Sequence, residues 1–402
     1  MGFRSVMVSG IISSARLAAL APVLAMGGVL LILVGCGAGK FFPPLSSTTT
    51  GTSTSSGDYL YVGENGGTAI AAFTIASTTS GSTTTTALSA LSGSPFTAAV
   101  EPVALAVTPD NDYLYVSSGD NEAGLDVYPI ESDGALNISS GGLAENGYSP
   151  AAIAVDSTGG WLFGIDPDNA EVYVFQIGSN GALTGPYATP AAISTCSPGT
   201  LGVLAPGLVV TPSSTGDYVY ASCGTAGIYA LSFDPSSNQL TYLGSVSPST
   251  TTAADSGLAV ATYDGASYLL AAETVSNTVR VFTINSSTGA LNLASDSPTG
   301  DGPDAVLVDS TDSYVYAANR SGDSISGFTI GSGGALTAIG SPFTTCTDPV
   351  ALAEDKTHTY VATVCEGDSD LETYTIGGGG ALASFNTSTT GVTAASSLAV
   401  TQ

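Results

Sequence analysis

The sequence predicts an all-β chain: a seven-bladed β-propeller of four-stranded antiparallel blades, with its ring closed by the C-terminal strand pairing with an N-terminal one. Three observations lead there. Charged residues are 10% of the 402 and Gly numbers 50, so the long polar side chains that coat helices are scarce and turns are plentiful. One Tyr-rich segment recurs seven times at blade-like spacing. The globular part also starts and stops in the middle of a repeat.

Residues 1–36 carry Arg4 and Arg16, no acids, and an apolar run from Leu17 to Val34. A basic start, an apolar middle and a small residue before the cut form a secretory signal. The run is close to the ~20 residues that span a bilayer, which keeps a membrane anchor as the alternative; Pro22, Gly27 and Gly28 interrupt it. Its ending, Leu33-Val34-Gly35-Cys36, resembles the bacterial lipobox. That resemblance implies that Cys36 is acylated, becomes the mature N-terminus and holds the chain to the membrane. Gly37 after the Cys is compatible with outer-membrane delivery. Residues 37–57 are rich in Ser, Thr and Gly and have too little apolar surface to fold alone, so they are expected to form a tether. The propeller is expected over 58–402.

The repeat is clearest at Tyr113-Leu-Tyr-Val116. Related segments begin at Tyr59, Trp161, Tyr218, Tyr268, Tyr314 and Tyr360, with spacings of 54, 48, 57, 50, 46 and 46. These are taken as strand B, the second from the axis. Strand C follows after a polar loop, as in Val172–Ile177 and Val279–Ile284. Strand D centres on a repeated Ala-Leu, as in Ala135-Leu136 and Ala182-Leu183, with Gln239-Leu240 in the odd blade. Strand A comes next, usually opened by Pro, as at Pro102, Pro303 and Pro349. Its Ala, Val and Leu suit strands crowded round an axis, whereas B is apolar on both faces because a blade covers each side. The globular part begins with a B run at Tyr59 and ends with an A run at Leu398–Val400. Joined, they complete one blade and leave no open edge.

The segment from Pro102 to Val116, Gly334–Thr337 and Gly340–Phe343 together resemble the YVTN and lactonase-type propellers, the 6-phosphogluconolactonase-like family, over 58–402. The resemblance implies the propeller fold and a ligand site at one mouth of the ring. In that family a His, a Glu and Arg residues are thought to act there. Here the one His, His358, falls in an A–B turn on the opposite face, and arginine after the leader is limited to Arg280 and Arg320.

Five cysteines occur. Besides Cys36 they fall as Cys196/Cys223 and Cys346/Cys365, each pair having one member before an A run and one at the end of the following B run. Four cysteines allow three connectivities; only Cys196–Cys223 with Cys346–Cys365 repeats one local geometry, in blades four and seven. Free thiols or a zinc site are the alternatives, and zinc needs four residues that lie three blades apart to converge.

There are 33 acids against 6 bases, and the chain after residue 36 keeps four bases: Lys40, Arg280, Arg320 and Lys356. So few bases exclude nucleic acid as a partner and disfavour anionic ligands, leaving a neutral or cationic small molecule, glycan or protein. Loops at the B–C and D–A ends hold the weak candidates. Glu273, Arg320, Asp301 and Asp304 are candidates for water activation, since a carboxylate near an arginine can act as a base. No cofactor is expected; Asp166, Asp168, Asp368 and Asp370 are weak candidates for Ca²⁺, and solvated loop acids or interblade ion pairs are the plainer alternatives. The expected role is a cell-envelope binding or scaffold module without the usual catalytic set. An exported lactone or sugar-acid hydrolase and a Ca²⁺-stabilised adhesin are the competing roles.

Overall fold

The computed structural model describes residues 52–402, apart from 81–82, 119–123, 188–192, 194, 198–204 and 341. Cys36, the leading segment and the tether up to 51 lie outside the described residues.

Seven separate antiparallel sheets follow one another along the chain. Ring closure is direct: the last strand, Ala395–Val400, pairs with the first, Thr52–Glu64, with Leu60 opposite Val400 and Val62 opposite Leu398. Thr401 continues the seam, its N–H donating to the Tyr59 carbonyl at 3.0 Å and its hydroxyl accepting from the Tyr59 N–H at 2.9 Å. Seven clusters of buried apolar side chains lie one at each interface between neighbouring blades. Phe163 and Val174 of blade three, for example, pack with Val219 and Phe233 of blade four, while Val62 and Phe73 of blade one pack with Val364 and Leu371 of blade seven. The core is therefore a ring of interfaces, each of which needs both neighbours.

B strands are buried along their length, as in Trp161–Asp166 and Asp217–Ser222. A strands are only half-buried, as in Leu208–Pro212 and Pro349–Glu354. They line an axial channel, which is why small residues recur there.

Two short motifs turn out to be joints. The second Tyr of the B strand reaches into the next blade and donates to a glycine carbonyl in its C–D turn: Tyr61 to Gly134 at 2.8 Å, Tyr115 to Gly181 at 2.7 Å, Tyr220 to Gly289 at 2.9 Å and Tyr316 to Gly380 at 2.8 Å. At Gly181 φ is +75°, and a Cβ would meet the Tyr113 ring at 2.7 Å. That position therefore requires glycine for both conformation and space. The second joint is an aspartate before the A–B turn. Asp309 and Asp355 each accept backbone N–H bonds across their turns, including those of Tyr314 and Tyr360 at 2.6 Å. Asp156 does the same for Trp161 at 2.7 Å.

Two local differences from the sequence reading appear. The first strand starts at Thr52, inside the segment read as tether, because Thr52–Ser55 pair with Ser77–Thr79 and Ala76 and those in turn with Thr84–Ala87; β-branched Thr suits such a ladder. In blade two, Ala135-Leu136 makes one bridge, to Ile130, and the outer strand is Gly142–Glu145. Asn137 caps the intervening turn, accepting from Ser139 and Ser140, and displaces the pairing downstream. Leu136 stays buried, so the Ala-Leu pair marks the core contact rather than the strand.

The joint predicts unequal costs for its two halves. Tyr115→Phe should lose about 1 kcal/mol, one hydrogen bond with its carbonyl left unpaired. Gly181→Ala should lose about 3 kcal/mol or more from overlap plus left-handed strain. Denaturant unfolding of the two variants checks this order.

Candidate functional site

A cavity of about 390 Å³ opens on the axis at the B–C and D–A loop end. Val103, Leu258, Val306, Ala351 and Leu398 supply apolar wall from five A strands and Pro206 from just before a sixth, and Asn65, Asp304, Arg320, Glu366 and Ser396 supply the polar groups. Arg320 begins the turn after strand B of blade six, where its N–H donates to the Gly302 carbonyl at 2.8 Å. Glu366 holds the equivalent place in blade seven, directly after Cys365 and the B strand Tyr360–Cys365. Asp304 comes from the A strand Pro303–Val308. Arg320 lies 3.6 Å from Asp304 and forms a second ion pair with Glu366.

Burial raises the Asp304 carboxyl to about 6; Arg320 and Ser256 pull it down and Glu366 pushes it up. The cluster holds one positive charge against two carboxylates. Ser396 Oγ, in the same wall, is buried without a partner.

The structure brings Arg320 and Asp304 together and takes Glu273 elsewhere. Glu273 is buried beside Arg280, 3.5 Å away, and accepts the Ser249 N–H at 2.6 Å. Arg280 also bonds both oxygens of Asp255 at 3.3 Å and sits over the Phe282 ring at 4.7 Å. Burial lifts Asp255 to about 7, against the pull of Arg280, with Glu273 adding to the rise. Asp301 lies at the rim, accepting from Asn277 Nδ2 at 3.1 Å. The weak water-activation set thus divides into a cavity group and a buried structural group.

Of the four acids that are candidates for Ca²⁺, Asp166 and Asp368 are hydrogen-bonded to loop backbone. Asp166 accepts from the N–H groups of Asp168 and Asn169 at 3.0 and 3.1 Å, Asp168 is exposed, and Asp368 accepts from the Thr347 N–H at 2.8 Å. Asp370 keeps one buried oxygen without a partner, and burial raises its carboxyl. Among the described residues no three His, Cys, Asp or Glu side chains gather closely enough to hold a metal. His358 stands in the A–B turn of blade seven, next to Ser310. The two disulfides are Cys196–Cys223 and Cys346–Cys365, with Cα–Cα distances of 5.3 and 5.9 Å. The second fixes the residue next to Glu366.

Sequence reasoning missed Glu366 and Asp255. Glu366 had a signal: it follows a B strand as Arg320 does one blade earlier. Asp255 precedes an A run whose opening Pro is replaced by Ser256, and no local pattern shows that Arg280 turns toward it.

The polar cluster thus stands in the axial mouth of a closed seven-bladed ring. Residues 52–396 match the family described as lactonase, 7-bladed beta-propeller, and the chain belongs to that family. Among solved structures, a candidate 6-phosphogluconolactonase of Bacteroides fragilis is 17% identical, with a TM-score of 0.65, covering 89% of this chain and 99% of its own. The periplasmic gluconolactonase of Pseudomonas aeruginosa is 18% identical, with a TM-score of 0.64, covering 86% and 99%. A protein of Lactobacillus plantarum is 18% identical, with a TM-score of 0.65, over 86% and 99%. At such identities the likeness is one of fold. No curated protein matches the sequence.

The raised carboxyls set a pH dependence. Asp255 at about 7, and Asp304 and Asp217 at about 6, stay protonated in the folded chain where the unfolded chain has lost those protons. The folded state then binds more protons, so stability falls as pH rises from about 4 to 7. Calorimetry should show a higher Tm at pH 5 than at pH 8. Asp255→Asn should flatten that slope, and an unchanged slope would remove Asp255 as its source.

Proposed function

We propose that this chain is an exported, lipid-anchored propeller that binds a small uncharged polar molecule in the axial cavity, acting as a binding module of the cell envelope. The observation that carries the reading is the arginine held between Asp304 and Glu366. Its charge is already balanced, so no cation is left over for a phosphate or carboxylate, and the net charge of −27 opposes an anion further. Asn65 offers an uncharged hydrogen-bonding group beside apolar wall. The two disulfides support export, since such bonds persist in oxidising compartments, and the Leu33–Cys36 ending supports acylation of Cys36. Loss of incorporated fatty acid on Cys36→Ser checks the anchor.

A second reading, hydrolysis of a neutral lactone, is favoured by Asp304. A carboxyl near 6 beside an arginine is poised to take a proton at neutral pH. Water would lose a proton to Asp304 while its oxygen bonds the carbonyl carbon. The ring C–O bond then breaks, Asp304 passes that proton to the ring oxygen, and a hydroxy acid results. Arg320 would stabilise the oxyanion, and the acidic mouth would repel the anionic product. The periplasmic gluconolactonase of Pseudomonas aeruginosa, by its name, acts on such a compound.

One experiment separates the readings. Glucono-1,5-lactone, its 6-phosphate and the parent sugar are titrated calorimetrically and followed for turnover. The binding reading expects the neutral compounds to bind at least tenfold more tightly than the phosphate, with hydrolysis at the background rate. Turnover lost in a folded Asp304→Asn variant would establish the hydrolase. Preference for the phosphate would overturn the charge argument.

A further inference from the structure

Residues 345–348 cross from the outer strand of blade six to the A strand of blade seven. They run beside both halves of the axial ion pair. On one side, the Thr345 N–H donates to the Asp323 carbonyl at 3.0 Å, and the Asp348 N–H donates to Asp323 Oδ1 at 2.9 Å. Asp323 ends the turn that carries Arg320, with φ at +44°. On the other side, the N–H groups of Glu366 and Gly367 donate to the carbonyls of Asp348 and Thr347 at 2.9 and 3.2 Å. Asp368 accepts the Thr347 N–H at 2.8 Å. In the middle of the segment, Cys346 is bonded to Cys365, the residue before Glu366. One short stretch of chain thus ties the Arg320 turn to the Glu366 turn.

The ion pair by itself is a poor source of this order. The Arg320 and Glu366 side chains are 26% and 28% exposed. Pairs so open to water fix their own geometry weakly, because two long side chains must be held in place. Glu366 is also repelled by Asp304, whose carboxyl it pushes up. The other disulfide stands in the same relation to the other arginine. Cys223 precedes Gly224, whose N–H and carbonyl pair with Asp255 at 3.0 and 3.2 Å, and Asp255 holds Arg280. Each bridge therefore lies one residue from the backbone that sets an arginine's carboxylate partner.

We propose that Asp323 and the Cys346–Cys365 bridge are positioning residues: they hold Glu366 on Arg320, keep that arginine neutralised and so close the axial cavity to anions. The exclusion of anions rests on the charge balance proposed for that cavity; the bracing does not.

The test is an NMR titration of the Asp304 carboxyl in the full propeller carrying carbon-13-labelled aspartate, with the signal assigned by its loss in Asp304→Asn. Asp304 faces Arg320, Glu366 and Ser256, so its midpoint reports whether Glu366 is in place. Glu366→Gln should move the midpoint to lower pH. Cys346→Ser combined with Cys365→Ser should move it the same way. So should Asp323→Gly, which removes the side chain without strain at that φ. Asp323→Asn keeps the acceptor oxygen and should leave the midpoint where the wild type has it. Added to Glu366→Gln, the cysteine changes should move it no further, whereas a loosening that only admits water would move it again. Should the cysteine variant unfold, the two Asp323 variants decide.

The second readout is calorimetric titration with glucose 6-phosphate at pH 5.5. Affinity should rise at least tenfold in Glu366→Gln, in the cysteine variant and in Asp323→Gly, as the arginine is released to a phosphate. A wild-type midpoint in the folded cysteine and Asp323→Gly variants, or a further fall on the Glu366→Gln background, overturns the positioning. A folded Glu366→Gln variant that gains no affinity for the phosphate overturns the charge argument instead.

Discussion

The pairing of Ala395–Val400 with Leu60–Glu64 is the constraint on which the rest of the structure depends. It joins the two ends of the globular chain and converts a row of sheets into a ring. In a row, the first and last blades would each expose an apolar face and an unpaired edge. In the ring, every blade is covered on both sides, and each interface has its own buried cluster. Closure also creates the axis. Arg320 and Glu366 follow B strands in adjacent blades, and Asp304 stands in the A strand of the first of them; the ring brings the two blades' positions into one cluster.

The interblade tyrosine–glycine joints and the aspartate clasps work at a smaller scale. A clasp fixes the A–B turn inside a blade, and a joint fixes one blade to the next. Tyr316 carries both consequences: it lies in the strand that follows the Asp309 clasp, and its hydroxyl reaches Gly380 in blade seven. The recurring Tyr-x-Tyr and Gly-Ala-Leu segments are thus two halves of one contact. That is a physical reason for their appearing at the same period.

The fold was legible because the repeat encodes it many times over. An error at one blade, such as the outer strand of blade two, leaves the other six to correct the count. The disulfides were legible for the same reason, since Cys196/Cys223 and Cys346/Cys365 occupy one repeated geometry. The site was only half legible, because it is where the blades differ. Asp304 and Arg320 could be placed by loop class. The direction of Arg280, toward Asp255 and Glu273 and away from the cavity, depends on packing against Phe282 and on three neighbouring strands. Glu366 adjoins a cysteine that drew the reading toward its bond. The two arginines ended alike, each offset by more than one carboxylate, which is how a chain so rich in acid retains cations inside it.

Closure is measured most directly by hydrogen exchange of the two terminal strands in the native protein. The amides of Tyr61–Gly63 and of Leu398–Thr401 should exchange as slowly as those of Val315–Ala317 in the middle of blade six, since all three stretches then open only with global unfolding. Fast exchange at both terminal strands beside slow exchange in blade six would show an open chain and contradict the ring.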